Sequence, residues 1–190
     1  MSDLSFDPYA PPKADVNLGP APTEAKRPAA YFLFSPAWIV FLAIVSPGFF
    51  QVYWGYRQWE AVKRTGPKVF PLGRAIFLIF SLNALFRHVQ VSRTDAGLPI
   101  GRAQGSLAAL FVILTIGVNI AARSNAAVAL VFFFALSFGC GLVLAAAQKD
   151  INELAEKTGT FINRGLGAGG ILMVVLGLLT FASNFIHLAP

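Results

Sequence analysis

The stretch that decides the fold is Ala126–Ala147, AAVALVFFFALSFGCGLVLAAA, which holds no charged residue and continues uncharged through Gln148. A helix rises about 1.5 Å per residue, so roughly 20 apolar residues cross the ~30 Å hydrocarbon core of a bilayer. A soluble helix of this length would keep a polar face toward water, and none is present here. Outward from this run, three more long stretches lack charge: Pro28–Tyr56, Ala103–Ala122 and everything after Arg164. Over 190 residues the chain is 56% hydrophobic and 13% charged, with a mean hydropathy of +0.64. Soluble domains carry about 25% charged residues. The expectation is an all-α, polytopic helical membrane protein with about four transmembrane helices and one short interfacial or half-buried helix.

The apolar segments are expected at 33–54, 75–90, 103–122, 126–147 and 166–187, in one membrane domain over 31–190. Residues 1–30 hold six of the twelve prolines and four of the nine acids, which predicts a disordered, Pro-rich tail. Ser35 and Pro36 suit the start of a helix. Ser46-Pro47-Gly48 then falls in mid-segment, and proline removes a helix hydrogen bond and clashes with the preceding turn. A kinked span is expected there, with a re-entrant hairpin as the competing form. Only Ala75–Phe86 is charge-free between Arg74 and Arg87, about 18 Å of helix and too short to cross. Arg123-Ser124-Asn125 reads as a tight reversal. The helix after it is expected to run on through Gln148–Lys157 and to stop at Gly159.

Charge placement sets the orientation. With 75–90 not crossing, the loops 57–102 and 148–165 carry eleven Lys and Arg residues, against Lys13, Lys26, Arg27 and Arg123 on the other side. If 75–90 crosses, the count becomes six against nine and the bias is lost. Both loops are therefore expected in the cytoplasm. The net charge of +6 is accounted for by basic loops facing anionic lipid head groups, and nucleic acid is not an expected partner. A second copy or another membrane protein is the expected protein contact.

Tyr53, Trp54, Tyr56, Arg57 and Trp59 form a candidate interfacial belt, because amphipathic rings settle at head-group depth. Asn83, Asn119 and Asn184 are candidate intramembrane polar contacts, able to hydrogen-bond across helix interfaces. Gly165-Leu-Gly167-Ala-Gly169-Gly170 matches a dinucleotide-binding pattern literally, but it follows no strand and opens an apolar helix. Gly139, Gly165 and Gly169 instead read as close helix packing, with 126–147 against 166–187.

No catalytic, cofactor or metal site is expected. Cys140 is alone. His88 and His187 fall on opposite sides of the membrane in this topology, and no acid lies inside an apolar segment, where ion-coupled transporters usually keep one. Glu60–Gly66 and Glu153–Gly159 match in Glu, a basic residue, Thr and Gly. Two helices ending in the same favourable way explain this more simply than an internal duplication.

Several motifs occur together: Pro8-Tyr9-Ala10-Pro11-Pro12-Lys13, Phe34-Ser35-Pro36, Tyr53-Trp54-x-Tyr56-Arg57-x-Trp59, Pro71-x-x-Arg74-Ala75-x-Phe77, Leu85-Phe86-Arg87 and Gln148-x-x-Ile151-Asn152-x-Leu154. In these the chain resembles a group of uncharacterised proteobacterial inner-membrane proteins. The resemblance covers most of the chain and implies location in the bacterial cytoplasmic membrane, with no established activity, cofactor or substrate. Those proteins often have Thr-x-Gly-x-Tyr where this chain has Ser46-Pro47-Gly48-Phe49-Phe50. The expected role is a non-enzymatic structural or accessory subunit. A small transporter or channel is the alternative, and a lipid-modifying enzyme comes third.

Overall fold

The computed structural model describes residues 30–123, 127–162 and 165–186. The expected tail, the reversal at Ser124–Asn125 and His187 lie outside them. The architecture is all-helical apart from one short strand pair. In chain order it comprises β1 (Tyr31–Phe32), α1 (Pro36–Val45), α2 (Phe49–Lys63), α3 (Pro71–Ile76), α4 (Leu78–Asp95), α5 (Gly105–Ala121), α6 (Ala127–Thr158), β2 (Phe161–Ile162) and α7 (Gly167–Ile186). β1 and β2 pair in parallel, Tyr31 with Phe161 and Phe32 with Ile162.

Pro36 occupies the start of α1, and Ser35 precedes it in extended conformation without a side-chain cap. The helix ends where Ser46 folds back, its N–H and Oγ both donating to Leu42 O at 3.0 and 2.9 Å. Pro47 has no N–H to continue the ladder, and Gly48 takes φ 87°, a left-handed value that disfavours side chains. The chain then reverses. Gln58 of α2 accepts from Phe32 N–H at 3.2 Å and donates to Phe32 O at 3.1 Å. Twenty-six residues on, α2 has come back to the level at which α1 set out.

The segment 33–54 is therefore not one kinked rod but most of a helical hairpin with its tip at 46–48. Four crossings are not upheld. Among the described residues one helix, Leu130–Thr158 within α6, is long and apolar enough to cross a membrane by length and composition. Of its apolar window, 39% is buried. α1, Gly105–Ala121 and Gly167–Thr180 are shorter apolar helices.

α6 is the axis of the fold. α1 runs antiparallel along it: Asn152 Nδ2 donates to Phe34 O at 2.9 Å, and further down a Cβ at Gly141 would come within 2.9 Å of Val40 Cα. α5 is antiparallel on another face, with Ala103 N–H donating to Asp150 Oδ2 at 2.6 Å and Thr115 beside Cys140. α7 runs antiparallel to α2, from Leu166 beside Tyr53 to Gly177 against Ser46. α3 and α4 meet at Phe77 (φ −95°, ψ 42°), and α4 buries Leu78, Leu82, Leu85, Phe86, Val89 and Arg93 along one face. Beyond Ala147, α6 continues with Ile151, Leu154 and Ala155 buried, and it closes on Gly159.

The outer surface of the long helices is apolar. α5 buries only Ala108 and Phe111, while Ile113, Ile116 and Ile120 are exposed. Val128, Val131, Phe132, Phe138 and Leu142 of α6 are exposed, as are Ile171, Leu172, Val175, Leu178 and Leu179 of α7. Contiguous apolar patches beyond a few hundred Å² are rare on soluble monomers.

Candidate functional site

Two polar regions stand out against this apolar body. The first is a buried layer where the ends of β1, α2, α4, α5 and α6 meet. Gln148, fully buried, donates from Nε2 to Phe32 O at 2.8 Å and to Asn152 Oδ1 at 2.7 Å. Its Oε1 accepts from Trp54 Nε1 at 2.7 Å and from Gln58 Nε2 at 3.1 Å. Beside it Arg93, 2% exposed, donates to Asp150 O at 2.9 Å and Pro99 O at 3.2 Å and pairs with Glu153 at 2.9 Å. Gln90 completes this layer, donating to Ala103 O at 3.0 Å and accepting from Gly101 N–H at 2.9 Å. Buried polar groups of this kind are costly unless satisfied, and these satisfy one another. Their effect is to lock the hairpin, the 96–104 connection and α6 together.

The second region is a cavity of about 210 Å³ at the far end of the hairpin. Pro47, Gly48, Phe49 and Gln51 bound it on the hairpin side, Thr115, Val118 and Asn119 on α5, Phe133 and Cys140 on α6, and Gly177 and Thr180 on α7. Thr115 Oγ1 donates to Phe111 O at 2.7 Å, and Asn119 Nδ2 donates to Thr115 O at 2.8 Å, which leaves Asn119 Oδ1 open. Gln51 is 7% exposed and lies on the cavity wall. An adjoining recess is lined by Ile79, Ile116, Asn119, Ile120 and Arg123.

The residues singled out from the sequence fall in different places. Tyr53, Trp54 and Trp59 turn inward rather than forming an exposed belt, because α2 is enclosed by β1, α3, α4 and α7. Tyr53 donates to Leu166 O and accepts from Arg57 Nη1 at 3.0 Å. Trp59 Nε1 donates to Ser81 Oγ at 3.3 Å, under the Arg74 guanidinium 4.3 Å above the ring centroid. Arg57 lies 4.6 Å over the Phe32 ring, and Tyr56 is half-buried. Asn119 is on the cavity wall, whereas Asn83 is exposed near Gly105 and belongs to neither region. The side chain of Asn184 lies outside the described residues.

The glycines do not join α6 to α7 as expected. Gly139 faces Leu114 of α5, where a Cβ would come within 3.1 Å, and Gly169 meets Tyr53 at 3.8 Å. Gly165 has nothing within 4 Å of a Cβ. The hairpin supplies the closest approaches instead: Val40 on Gly141, Tyr53 on Gly170 and Ser46 on Gly177. Gln51, Gln58, Gln148, Arg93 and Asp150 went unremarked as site residues. The one signal in the sequence was Gln148 and Asn152 at i and i+4, at the point where the longest apolar run ends.

No family model matches the chain, and no curated protein or solved structure is significantly similar to it.

Proposed function

We propose that this chain is an integral membrane protein of the bacterial cytoplasmic membrane that handles a small polar solute through a re-entrant hairpin. In this reading α5, α6 and α7 cross the bilayer, while α1 and α2 enter and leave from the cytoplasmic side. The observation that carries it is the Gln58 clasp on Phe32, which returns α2 to the starting level of α1. At 17 and 20 residues, α5 and α7 fall within the range of about 17–25 that crosses a bilayer. The exposed apolar rows on α5, α6 and α7 suit contact with lipid.

The hairpin also sharpens the charge argument. A chain that returns keeps residues 1–30 on the side of the loops 57–102 and 148–165. Of the fifteen Lys and Arg residues, Arg123 alone then lies opposite, a stronger bias than eleven against four. Basic loops on that side suit anionic head groups, and the resemblance to proteobacterial inner-membrane proteins favours the same location.

Non-helical backbone at membrane depth is tolerated where it is buried in protein or lines a water-filled cavity. The hairpin tip lines a cavity at the end opposite the buried polar layer around Gln148. That combination supports a transporter or channel over a bare scaffold. The second reading, a non-enzymatic structural or accessory subunit, is favoured by the tight glycine contacts of Gly139, Gly141 and Gly177 and by apolar faces free to take a partner or a second copy.

Single cysteines at Thr23, Thr65, Asn125 and Thr158, probed with a membrane-impermeant maleimide in intact cells, test the topology. Asn125→Cys alone should label from outside; labelling of Thr23→Cys from outside would sink the re-entrant arrangement. Solute flux in proteoliposomes, reduced by Asn119→Leu, tests the role. A stable complex with no flux across a broad solute panel would favour the accessory subunit.

A further inference from the structure

We propose that the open groove at the α3–α4 elbow holds one anionic phospholipid, with an acyl chain on Phe70, Phe77 and Phe80 and the phosphate on Arg74. The inference rests on the membrane reading above, but on neither the re-entrant hairpin nor solute handling. The groove shares no residue with the cavity at the hairpin tip.

The apolar part of the site comes from the elbow itself. Phe77 separates α3 from α4 with φ −95° and ψ 42°, so the two helices do not run on as one rod. Phe70 and Gly73 on one arm, and Phe80, Ser81 and Ala84 on the other, bound a groove of about 480 Å³. The Phe70 ring lies across Gly73, where a Cβ would come within 2.6 Å of it. Phe70, Phe77 and Phe80 are 69, 62 and 80% exposed. Three neighbouring rings left this bare form a patch of the kind that marks contact with a ligand, a membrane or a partner.

Charge decides among those occupants. Arg74 lines the same groove, with its guanidinium stacked 4.3 Å from the Trp59 ring centroid. Ser81 fixes this corner, accepting from Trp59 Nε1 at 3.3 Å and donating to Arg74 O at 2.6 Å. Stacking uses the face of the guanidinium and leaves free the edge, whose N–H groups grip phosphate oxygens in pairs. Those groups meet no acceptor among the described residues, and no Asp or Glu lines the groove. Arg87 continues the same stripe of α4, three residues beyond Ala84 and seven beyond Phe80; it is exposed and also without an acceptor among the described residues. A cation beside an apolar slot complements a molecule whose phosphate adjoins its chains. Free phosphate would leave the three rings bare, and a neutral apolar partner would leave the arginines unmatched. The depth agrees: Trp59 follows Gln58, whose amide meets Gln148 where the longest apolar run of α6 stops.

The test counts lipids on the full chain by native mass spectrometry from mild detergent, with phosphatidylglycerol and phosphatidylcholine of identical chains competing in equal amounts. Phosphatidylglycerol should win the most tightly held place by about fivefold, the effect of roughly one basic residue at an anionic head group. Arg74→Gln should remove that preference and keep phosphatidylcholine. Phe80→Ser, at the barest ring, should lower retention of both lipids several-fold. If thermal unfolding shows Arg74→Gln to be misfolded, the exposed Arg87→Gln carries the charge test, with about a twofold loss of preference expected. Glycerol phosphate, a head group without chains, should not displace the lipid. Equal retention of the two lipids, an unchanged preference in the folded arginine variant, unchanged retention in Phe80→Ser, or displacement by glycerol phosphate would overturn the proposal. A dimer that Phe80→Ser dissociates would also overturn it and assign the groove to a second copy. The count is made in detergent, so its failure leaves the topology to the cysteine labelling, and failure of the re-entrant arrangement leaves the lipid site standing.

Discussion

Gln58→Leu tests the hairpin at the residue that closes it. Gln58 is fully buried and makes three hydrogen bonds, two to the Phe32 backbone and one to Gln148 Oε1. Leucine fills nearly the same volume, so the change is chiefly polar. Phe32 O keeps Gln148 as donor, and Gln148 Oε1 keeps Trp54. Phe32 N–H, however, loses its side-chain acceptor in a buried place. Two lost hydrogen bonds at about 1 kcal/mol each, and a stranded donor at about 1–3 kcal/mol, give a destabilisation of about 3–5 kcal/mol. Reversible unfolding in mixed detergent micelles, followed by circular dichroism, measures it. Gln104→Leu is the comparison: Gln104 is exposed, donates only to Gly101 O, and should cost less than about 0.5 kcal/mol. Crossing Gln58→Leu with Gln148→Leu should give a coupling of at least about 0.5 kcal/mol, since the two amides share a bond and a partner. If Gln58→Leu costs no more than Gln104→Leu, α1 and α2 are not held as a hairpin by this contact, and the topology built on it loses its support.

Three further outcomes follow from the packing and burial. Gly141→Leu should cost about 1–3 kcal/mol in the same unfolding assay, because even its Cβ would lie 2.9 Å from Val40 Cα and backbone cannot yield as a side-chain tip can. Arg93→Met should cost about 2 kcal/mol and open the 96–104 connection to protease; it strands Pro99 O, while Asp150 O stays in the α6 ladder and the half-exposed Glu153 rehydrates, which limits the loss. Burial pushes the Tyr31 phenol up from 10.0 to about 12, with the Ser92 hydrogen bond pulling slightly the other way. A raised phenol pKa contributes stability that is present below pH 10 and lost between pH 10 and 12, on the order of 3 kcal/mol at most. The ultraviolet titration difference between the native chain and Tyr31→Phe should centre near 12, and a midpoint at 10 would contradict the burial.

The helical class and the break at Ser46-Pro47-Gly48 were legible because both rest on local chemistry: an uncharged run cannot present a polar face, and Pro47 cannot donate. The two ends that close on Gly66 (φ 118°) and Gly159 (φ 65°) were legible in the same way. Thr65 and Thr158 each donate back into the last turn, which accounts for the matched Glu-to-Gly stretches without a duplication. What the chain does after Pro47 is a different matter. Straight on and back again cost the same locally, and the choice is made by Gln58 meeting Phe32 and by Trp54 meeting Gln148, contacts 26 and 94 residues apart. The packing of the aromatic cluster on α2 was hidden for the same reason. Its composition suits a membrane interface, but a helix enclosed by four other elements turns its rings inward. The glycine spacings showed that helices approach closely without showing which ones.

The position of the cavity follows from the length of α1. Ten residues make about 15 Å of helix, half the ~30 Å hydrocarbon core, so in the re-entrant arrangement proposed above the hairpin would turn near the midplane. That is the costliest depth for an unpaired N–H, since neither lipid nor apolar side chains can accept from it. The turn recovers part of this through Ser46 O and Gly48 O, and leaves Phe49 and Gln51 to find acceptors elsewhere. A longer α1 would carry those donors to the far interface, where water satisfies them without any cavity. In that arrangement a hairpin of this length would call for a polar space at its tip, and Thr115, Asn119 and Thr180 on two neighbouring helices line the cavity there. On the proposed topology the half-crossing and the cavity would be one feature, and the part of the chain that a scaffold would need least would be the part built at the highest cost.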